Sequence, residues 1–251
     1  MTKKTILWSV GIVAVMTLVC GTAVAAVPAG RQEAQSIGEL SYVEGRVDRL
    51  ALGIAEYVPL VQGERVNVGD TLRTKDFSRA EISFNDKSIV KIGDNSQMKI
   101  REYTIDAAGK RSNADLWVDR GVIRAIVSKS LPAGQAGATG ATNFTINTPN
   151  SVGRVRGSDI GVSYLKSASI FLAMSGAIET ANVNFQDKTV LVEKGTTTFV
   201  PANAPAQSPR PYLEIEADRF SDQTAPILGR GGDLKPEDLS KAIVTDVTGD
   251  V

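Results

Sequence analysis

The sequence lacks histidine and has a single cysteine, Cys20, among its 251 residues. Without histidine, neither a Ser-His-Asp or Cys-His catalytic site nor an imidazole metal site can form. The usual side chain for a pH switch near neutrality is missing for the same reason. One cysteine cannot form an internal disulfide or a thiolate metal cage. We therefore expect no cofactor and no metal site.

An excess of charge of one sign is also absent, since 28 Lys and Arg balance 28 Asp and Glu. Proteins that bind nucleic acids usually carry a basic excess, which neutralises phosphates. The equal numbers of basic and acidic residues therefore predict that nucleic acid is not a partner.

A long hydrophobic run is present at the N terminus, over residues 6–19. Lys3 and Lys4 precede it, and small residues at 23–25 follow it, which is the layout of a secretory signal peptide. We expect residues 1–25 to be a signal peptide and the protein to be periplasmic or secreted. Two alternatives stay open. In the first alternative the segment is retained as an anchor and makes the only membrane contact. In the second, Cys20 is lipidated.

Residues 38–200 have the pattern of an all-β domain. Polar and apolar residues alternate at 81–84, and turn signals such as those at 85–88 and 93–95 recur about every 8–12 residues. The same texture predicts later strands at 117–118, 122–127, 144–148, 160–164, 170–174, 190–192 and 199–200.

The remaining segments have compositions typical of linkers and loops. Residues 26–37 are small and polar, and 131–142 consist mostly of Gly, Ala, Thr and Pro, which predicts a mobile loop. Residues 201–251 are expected to form a proline-rich linker and a partly disordered tail. Within that tail, 212–220 fit a strand or a short helix, and 235–241 resemble the start of a helix.

Five aspartates are candidates for paired-carboxylate chemistry or calcium binding: Asp70, Asp76, Asp86, Asp94 and Asp106. Each lies at or beside a Gly, Asn or Lys turn, where an aspartate bonds its own backbone, so we favour a structural role. A glycan-acting enzyme with two of these carboxylates is the alternative. Ser163 and Lys166 match the S-x-x-K spelling of serine acyl-enzymes. That chemistry needs a helix and this segment has a strand pattern, so we interpret the match as chance.

Arg154 and Arg156 occupy one face of a predicted strand, and Gly157 follows them. Two guanidiniums on one face form a candidate site for a carboxylate, a phosphate or an acidic partner. Pairing with acids on neighbouring strands is the favoured alternative. A glycine after a strand indicates a bulge or a close backbone approach. We expect Trp117 to belong to the core.

The order and spacing of several short motifs resemble the FecR domain. They are G-R-V at 45–47, G-D-T-L-R-T at 69–74, A-E-I-S-F-N-D-K-S at 80–88, G-V at 121–122, F-T-I-N-T-P at 144–149, V-R-G-S-D-I-G-V at 155–162, S-G at 175–176 and K-G at 194–195. The resemblance covers about residues 38–200. Lys87 and Ser158 depart from the family, which usually has Gly and Thr there.

The resemblance implies a periplasmic or extracellular all-β domain, of a twisted β-solenoid or sandwich kind, that acts by protein contact or ligand sensing. The family's namesake regulators relay to a sigma factor through a cytoplasmic domain. Only Met1 to Thr5 precede the apolar run here, so we expect no sigma factor as a partner.

These observations predict an exported, non-enzymatic binding protein of the bacterial cell envelope, whose partner is an envelope protein or a surface glycan. We expect contact at Arg154, Arg156, Gly157 and the 131–142 loop, because loops on a rigid β scaffold often carry recognition. Two alternatives stay open, the glycan-acting enzyme and a structural spacer in a surface assembly.

Overall fold

The structure is a computed structural model and describes residues 36–106, 109, 111–128 and 144–225. The predicted signal peptide, Cys20, most of the 26–37 linker, the 131–142 loop and the helix start at 235–241 lie outside the described residues.

Strands dominate the described residues, which confirms the all-β prediction. The elements in chain order are β1 (Gly38–Glu44), β2 (Val47–Leu50), β3 (Val58–Leu60), β4 (Arg65–Val66), β5 (Thr71–Thr74), β6 (Arg79–Phe84), β7 (Ile89–Ile92), β8 (Gln97–Ile105), β9 (Arg111–Ile126), β10 (Phe144–Thr148), β11 (Ser151–Val155), β12 (Asp159–Leu165), β13 (Ala168–Ser175), β14 (Ala177–Asn182), β15 (Val190–Glu193), β16 (Thr196–Val200), β17 (Arg210–Pro211) and the helix α1 (Glu214–Thr224).

The strands form two sheets that share the long strand β9. Sheet A runs in the order β4, β1, β6, β7, the C-terminal part of β9, β12, β13, β16 and β17. Sheet B runs in the order β3, β2, β5, β8, the N-terminal part of β9, β10, β11, β14 and β15. The β9–β10 pairing is parallel. Because β9 pairs in both sheets, hydrogen bonding is continuous through all 17 strands.

The two sheets pack face to face around one core. In β6 and β7 every second side chain is buried, as the period of two requires. Buried side chains from both sheets form a single cluster. Phe84 of sheet A stacks on Tyr103 of sheet B, with ring centroids 4.2 Å apart. Of the two architectures left open by the sequence, the described residues therefore form the sandwich.

Strand β9 changes sheets at Gly121. Up to Arg120 it pairs with β8, and from Gly121 onward it pairs with β12. Gly121 has φ +91°, and a Cβ there would lie 2.2 Å from Ser96 Oγ and 2.5 Å from Ser96 Cα. Only glycine combines that backbone angle with so close a neighbour. The glycine therefore lets one strand join the two sheets.

A buried ion pair closes the turn between β6 and β7. Asp86 and Arg111 form a salt bridge whose side chains are 0% and 2% exposed. Asp86 also accepts hydrogen bonds from the Tyr103 hydroxyl at 2.7 Å and the Ser88 backbone N–H at 3.0 Å. Burial raises the pKa of Tyr103 well above its ordinary value, and the adjacent Asp86 charge adds to the effect. The tyrosine therefore stays a hydrogen-bond donor to the buried carboxylate.

The helix α1 covers part of the outer face of sheet A. Its Phe220 is buried against Val122 and Leu172, and Arg124 donates a hydrogen bond to Ser221 Oγ at 3.1 Å. The sequence pattern at 212–220 is compatible with a strand or a short helix, and the structure has the helix α1 there. The described part of the predicted linker and tail, residues 201–225, thus contains the short strand β17 and the helix α1, and both lie on sheet A.

Candidate functional site

A broad set of polar and aromatic side chains lies on the outer face of sheet B. Paired residues on neighbouring strands point to the same side of a sheet, so the registers of β8, β9, β10, β11 and β14 place these side chains together. All of them are half-buried or exposed. We call this surface the open face; its central residues are Lys99, Arg101, Asp115, Trp117, Thr145, Asn147, Arg154 and Glu179.

Asp115 organises the centre of the open face. Its Oδ1 accepts a hydrogen bond from Asn147 Nδ2 at 2.7 Å and one from Thr145 Oγ1 at 3.3 Å. The Asn147 Oδ1 atom is buried and has no hydrogen-bond partner within the described part of the chain. Asp115 is thus hydrogen-bonded by two neutral groups and keeps its negative charge, while the buried amide oxygen beside it is an unused acceptor among the described residues.

Trp117 lies on the open face rather than in the core, so the sequence prediction for it is wrong. Its neighbours Leu116 and Val118 are fully buried, and the alternation of β9 directs Trp117 to the opposite side. The Arg101 guanidinium lies 3.6 Å from the centroid of the Trp117 ring. This cation–π stack keeps the side chain half-buried without a place in the core.

Arg154 and Arg156, which the sequence singled out, are both exposed on this side of the sandwich. Arg154 lies in β11 opposite Thr145 and Glu179. Arg156 follows the strand and forms a salt bridge with Glu179. The cross-strand pairing that the sequence favoured therefore accounts for Arg156. Arg154 borders a small groove, lined also by Val152, Glu179, Ala181, Gln186 and Thr189.

Gly157 makes a close backbone contact instead of lining a surface groove. A Cβ at Gly157 would lie 2.2 Å from the Cα of Gly176, and the reverse distance is the same. The two glycines let the chain leaving β11 pass the turn before β14. Packing thus explains the glycine after the arginine pair, while a role in binding stays a prediction.

A second stacked arginine lies at the other end of the outer face of sheet B. Arg73 lies 3.7 Å from the centroid of the Tyr57 ring and donates to Asp48 Oδ2 at 2.9 Å. Arg46 donates to the other Asp48 oxygen at 3.1 Å. Burial raises the pKa of Asp48, but the hydrogen bonds from Arg73 and Arg46 outweigh it and hold the pKa below its ordinary value. This carboxylate is saturated by its neighbours.

The other candidates from the sequence have local structural settings. Asp70, Asp76, Asp86 and Asp94 lie at turns or directly beside them, and Asp70 accepts a hydrogen bond from the Asn67 backbone N–H at 3.0 Å. The described residues contain no group of three or more Asp, Glu, His or Cys side chains that could hold a metal ion. Ser163 lies within strand β12, which excludes the helical geometry of an S-x-x-K site.

Sequence reasoning missed Lys99, Arg101, Asp115 and Asn147. A signal for the last two is present, since polar residues alternate with buried apolar ones in β9 and β10. The alternation identifies a solvated face but not which strands lie side by side. The parallel pairing of β9 with β10 joins segments separated by the 129–143 stretch, and the residue pattern carries no mark of it.

Comparisons with protein families and with solved structures both give matches to this chain. A sequence model of the family described as "FecR protein" matches residues 70–179. Two crystal structures described as "a putative anti-sigma factor" from Parabacteroides distasonis match at 12% identity with a TM-score of 0.45. The match covers 60% of this chain and 63% of the other, so this chain spans less than two thirds of that protein's length. No curated protein matches this chain.

The expectation that a sigma factor is not a partner is contradicted. The family whose model matches is the one whose namesake regulators relay to a sigma factor, and this does not fit the exclusion. The exclusion depended on the few residues that precede the N-terminal apolar run, and the position at which a sequence begins does not support it.

Among the described residues, no helix has the length and apolar character needed to span a bilayer.

Proposed function

Because residues 70–179 of this chain belong to the FecR family, we propose that the protein acts by binding rather than by catalysis, as an exported domain of the bacterial cell envelope. The contact surface is the open face of sheet B. Export is inferred from the signal-like sequence at residues 1–25, with its two lysines, apolar run and small residues at 23–25.

The observation that carries this proposal is the contrast between the outer faces of the two sheets. The helix α1 occupies part of sheet A through Phe220 and Arg124. The open face of sheet B presents arginines, a tryptophan and an asparagine, and the first two residue types are enriched at protein interfaces. Trp117 and Arg101 restrain each other in the stack, which reduces the entropy lost when a partner binds.

Charge reversal at the two predicted arginines tests the proposal. We expect the Arg154→Glu, Arg156→Glu double variant to capture its envelope partner about tenfold less efficiently, which corresponds to about 1.4 kcal/mol of binding free energy. The measurement is crosslinking in the native envelope, followed by quantitative identification of the captured molecules, with sigma factors and their regulators included in the search.

The matched control is the Lys87→Glu, Lys166→Glu double variant, because both lysines are exposed in the β6–β7 and β12–β13 connections of sheet A. It makes the same change of four charge units and is expected to capture normally. Equal capture by both variants would remove Arg154 and Arg156 from the contact surface. A captured glycan that is shortened on incubation would instead support the glycan-acting enzyme, and self-capture alone would support the structural spacer.

A further inference from the structure

Two glycines of sheet A, Gly161 in β12 and Gly93 directly after β7, leave the space that the helix α1 occupies. A Cβ at Gly161 would lie 2.7 Å from the Phe220 Cδ1 atom, and its three nearest atoms all belong to that ring. A Cβ at Gly93 would lie 3.0 Å from the Gln223 carbonyl oxygen. Neither glycine has a left-handed φ. The missing side chains therefore serve the close approach of the helix rather than an unusual backbone.

Two arginines hold the C-terminal half of α1 by hydrogen bonds. Arg79 Nε donates to the Gln223 carbonyl oxygen at 2.9 Å, at the helix end where carbonyl groups lack partners within the helix. Arg124 Nη1 donates to Ser221 Oγ at 3.1 Å. Two further bonds from Arg124 to the Asp159 carboxylate, at 2.9 and 2.8 Å, fix that guanidinium in place. The contact is therefore specific for one position of the helix.

The apolar part of the contact is small. Phe220 and Thr224 are the two buried residues among the eleven of α1, while Leu213 and Ile215 at its start are 65% and 63% exposed. An isolated helix of this length is marginal in water, so α1 depends on the sheet in order to stay helical. Segments with few buried apolar contacts open at a much lower free energy than the core does.

The start of α1 is held by local contacts that do not require the docked position. Glu216 accepts a hydrogen bond from the Leu213 backbone N–H at 2.8 Å and pairs with Arg210, six residues before it. The strand that contains Arg210, β17, remains paired with β16. Loss of the contacts at 220–224 is therefore enough to release the C-terminal half of the helix from the sheet.

We propose that α1 is a detachable strap on sheet A, which undocks and melts while the sandwich stays folded. Phe220 is the residue that holds it, because this ring packs on Val122 and Leu172. Undocking removes the ring from these two side chains, so the strap controls access to this part of the outer face. The inference concerns sheet A and goes beyond the binding role proposed for the open face.

Native-state hydrogen exchange of the full chain, read by mass spectrometry at low concentrations of guanidinium chloride, tests this inference. We expect the amides of α1 to exchange roughly a hundredfold faster than those of β9 and β12, at a rate that the denaturant hardly changes. Amides that open only when the whole domain unfolds exchange faster as denaturant is added, because that opening exposes much more surface. The two kinds of opening are thus distinguishable.

Two variants undock the helix from opposite sides of the contact. Gly161→Ala places a Cβ against the Phe220 ring, and Phe220→Ala removes the ring. Each is expected to speed exchange in α1 by about tenfold or more, while β9 and β12 still exchange far more slowly than α1. The matched control is Ile215→Ala, because that side chain lies on the same helix and is 63% exposed. It should leave exchange in α1 within about twofold of the unsubstituted chain.

Three results would overturn the inference. In the first, α1 and β12 exchange at the same rate and respond equally to denaturant. In the second, Gly161→Ala or Phe220→Ala leaves exchange in α1 within about twofold of the unsubstituted chain. In the third, either variant lowers the protection of β9 and β12 to the level of α1, which would show that the helix and the sandwich open as one unit.

Discussion

Replacement of Arg111 by methionine is expected to lower the free energy of unfolding by about 3–5 kcal/mol. The change leaves the Asp86 carboxylate, which is fully buried, without its only ion-pair partner among the described residues. Hydrogen bonds from Tyr103 and Ser88 remain, but they do not replace a full positive charge. Arg111 also donates to Ser88 Oγ at 2.8 Å, so the turn between β6 and β7 loses a second tie. Guanidinium chloride unfolding followed by far-ultraviolet circular dichroism gives the free energy.

Two control variants separate the effect of leaving a buried charge unpaired from the effect of removing any arginine. Arg210→Met breaks a salt bridge with Glu216 whose side chains are 58% and 30% exposed, and its expected effect on stability is small because water screens exposed ion pairs. The Asp86→Leu, Arg111→Met double variant removes both buried charges and should recover a large part of the loss. If Arg111→Met proves as mild as Arg210→Met, the buried pair does not stabilise this end of the sandwich.

Replacement of Gly121 by alanine is expected to cost about 3 kcal/mol or more. The added Cβ meets Ser96 at 2.2–2.6 Å, which includes a backbone atom, and φ is +91°. The clash cannot be relieved by turning a side chain, because the Ser96 Cα is one of the three contacts. Either β9 or the turn before β8 must shift, and β9 is the strand that both sheets share.

Gly63→Ala is the matched control for this prediction. Gly63 has φ +85°, close to the angle at Gly121, but a Cβ there has nothing within 4 Å. Its expected cost is the backbone strain alone, about 1 kcal/mol. The difference between the two variants, measured by the same chemical denaturation, isolates the contact with Ser96. Equal losses would show that the crossing of β9 tolerates a side chain and that only the φ angle matters.

The β sandwich could be predicted from sequence because its signals are local. Alternation at 81–84 and the turns at 85–88 and 93–95 are visible within a few residues, and the structure has β6, β7 and the turns that follow each of them there. The turn role of Asp86 is local in the same way, through its bond to the Ser88 N–H. Its partner Arg111 is 25 residues away, and no spacing rule connects the two.

Trp117 shows how a residue-type argument failed where a pattern argument would have succeeded. A tryptophan within a predicted β domain suggests a core position, since large aromatic side chains are highly buried on average. The alternation with Leu116 and Val118 assigns it to the opposite face. The stacked Arg101 explains how the ring is accommodated there. Arg101 itself was out of reach, because β8 and β9 have register shifts at this position.

The open face as a whole depends on strand order, which the sequence does not reveal. Arg154 and Arg156 could be recognised as a pair on one face because they are two residues apart. Their neighbours Asp115, Asn147 and Glu179 come from three other strands, β9, β10 and β14. Placing five strands side by side requires the pairing of segments up to about 80 residues apart in the chain, as the positions of Lys99 and Glu179 show.

The most direct test of the binding role is site-specific photocrosslinking in the native envelope, with one photoreactive residue in each sheet. Val152 lies on the open face beside Arg154, and Ile170 is 37% exposed on the outer face of sheet A. Both are aliphatic strand residues, so the two substitutions are comparable. A binding role of the open face predicts that a partner protein is crosslinked from position 152 and not from position 170. Crosslinking from position 170 alone, or from neither, would contradict it.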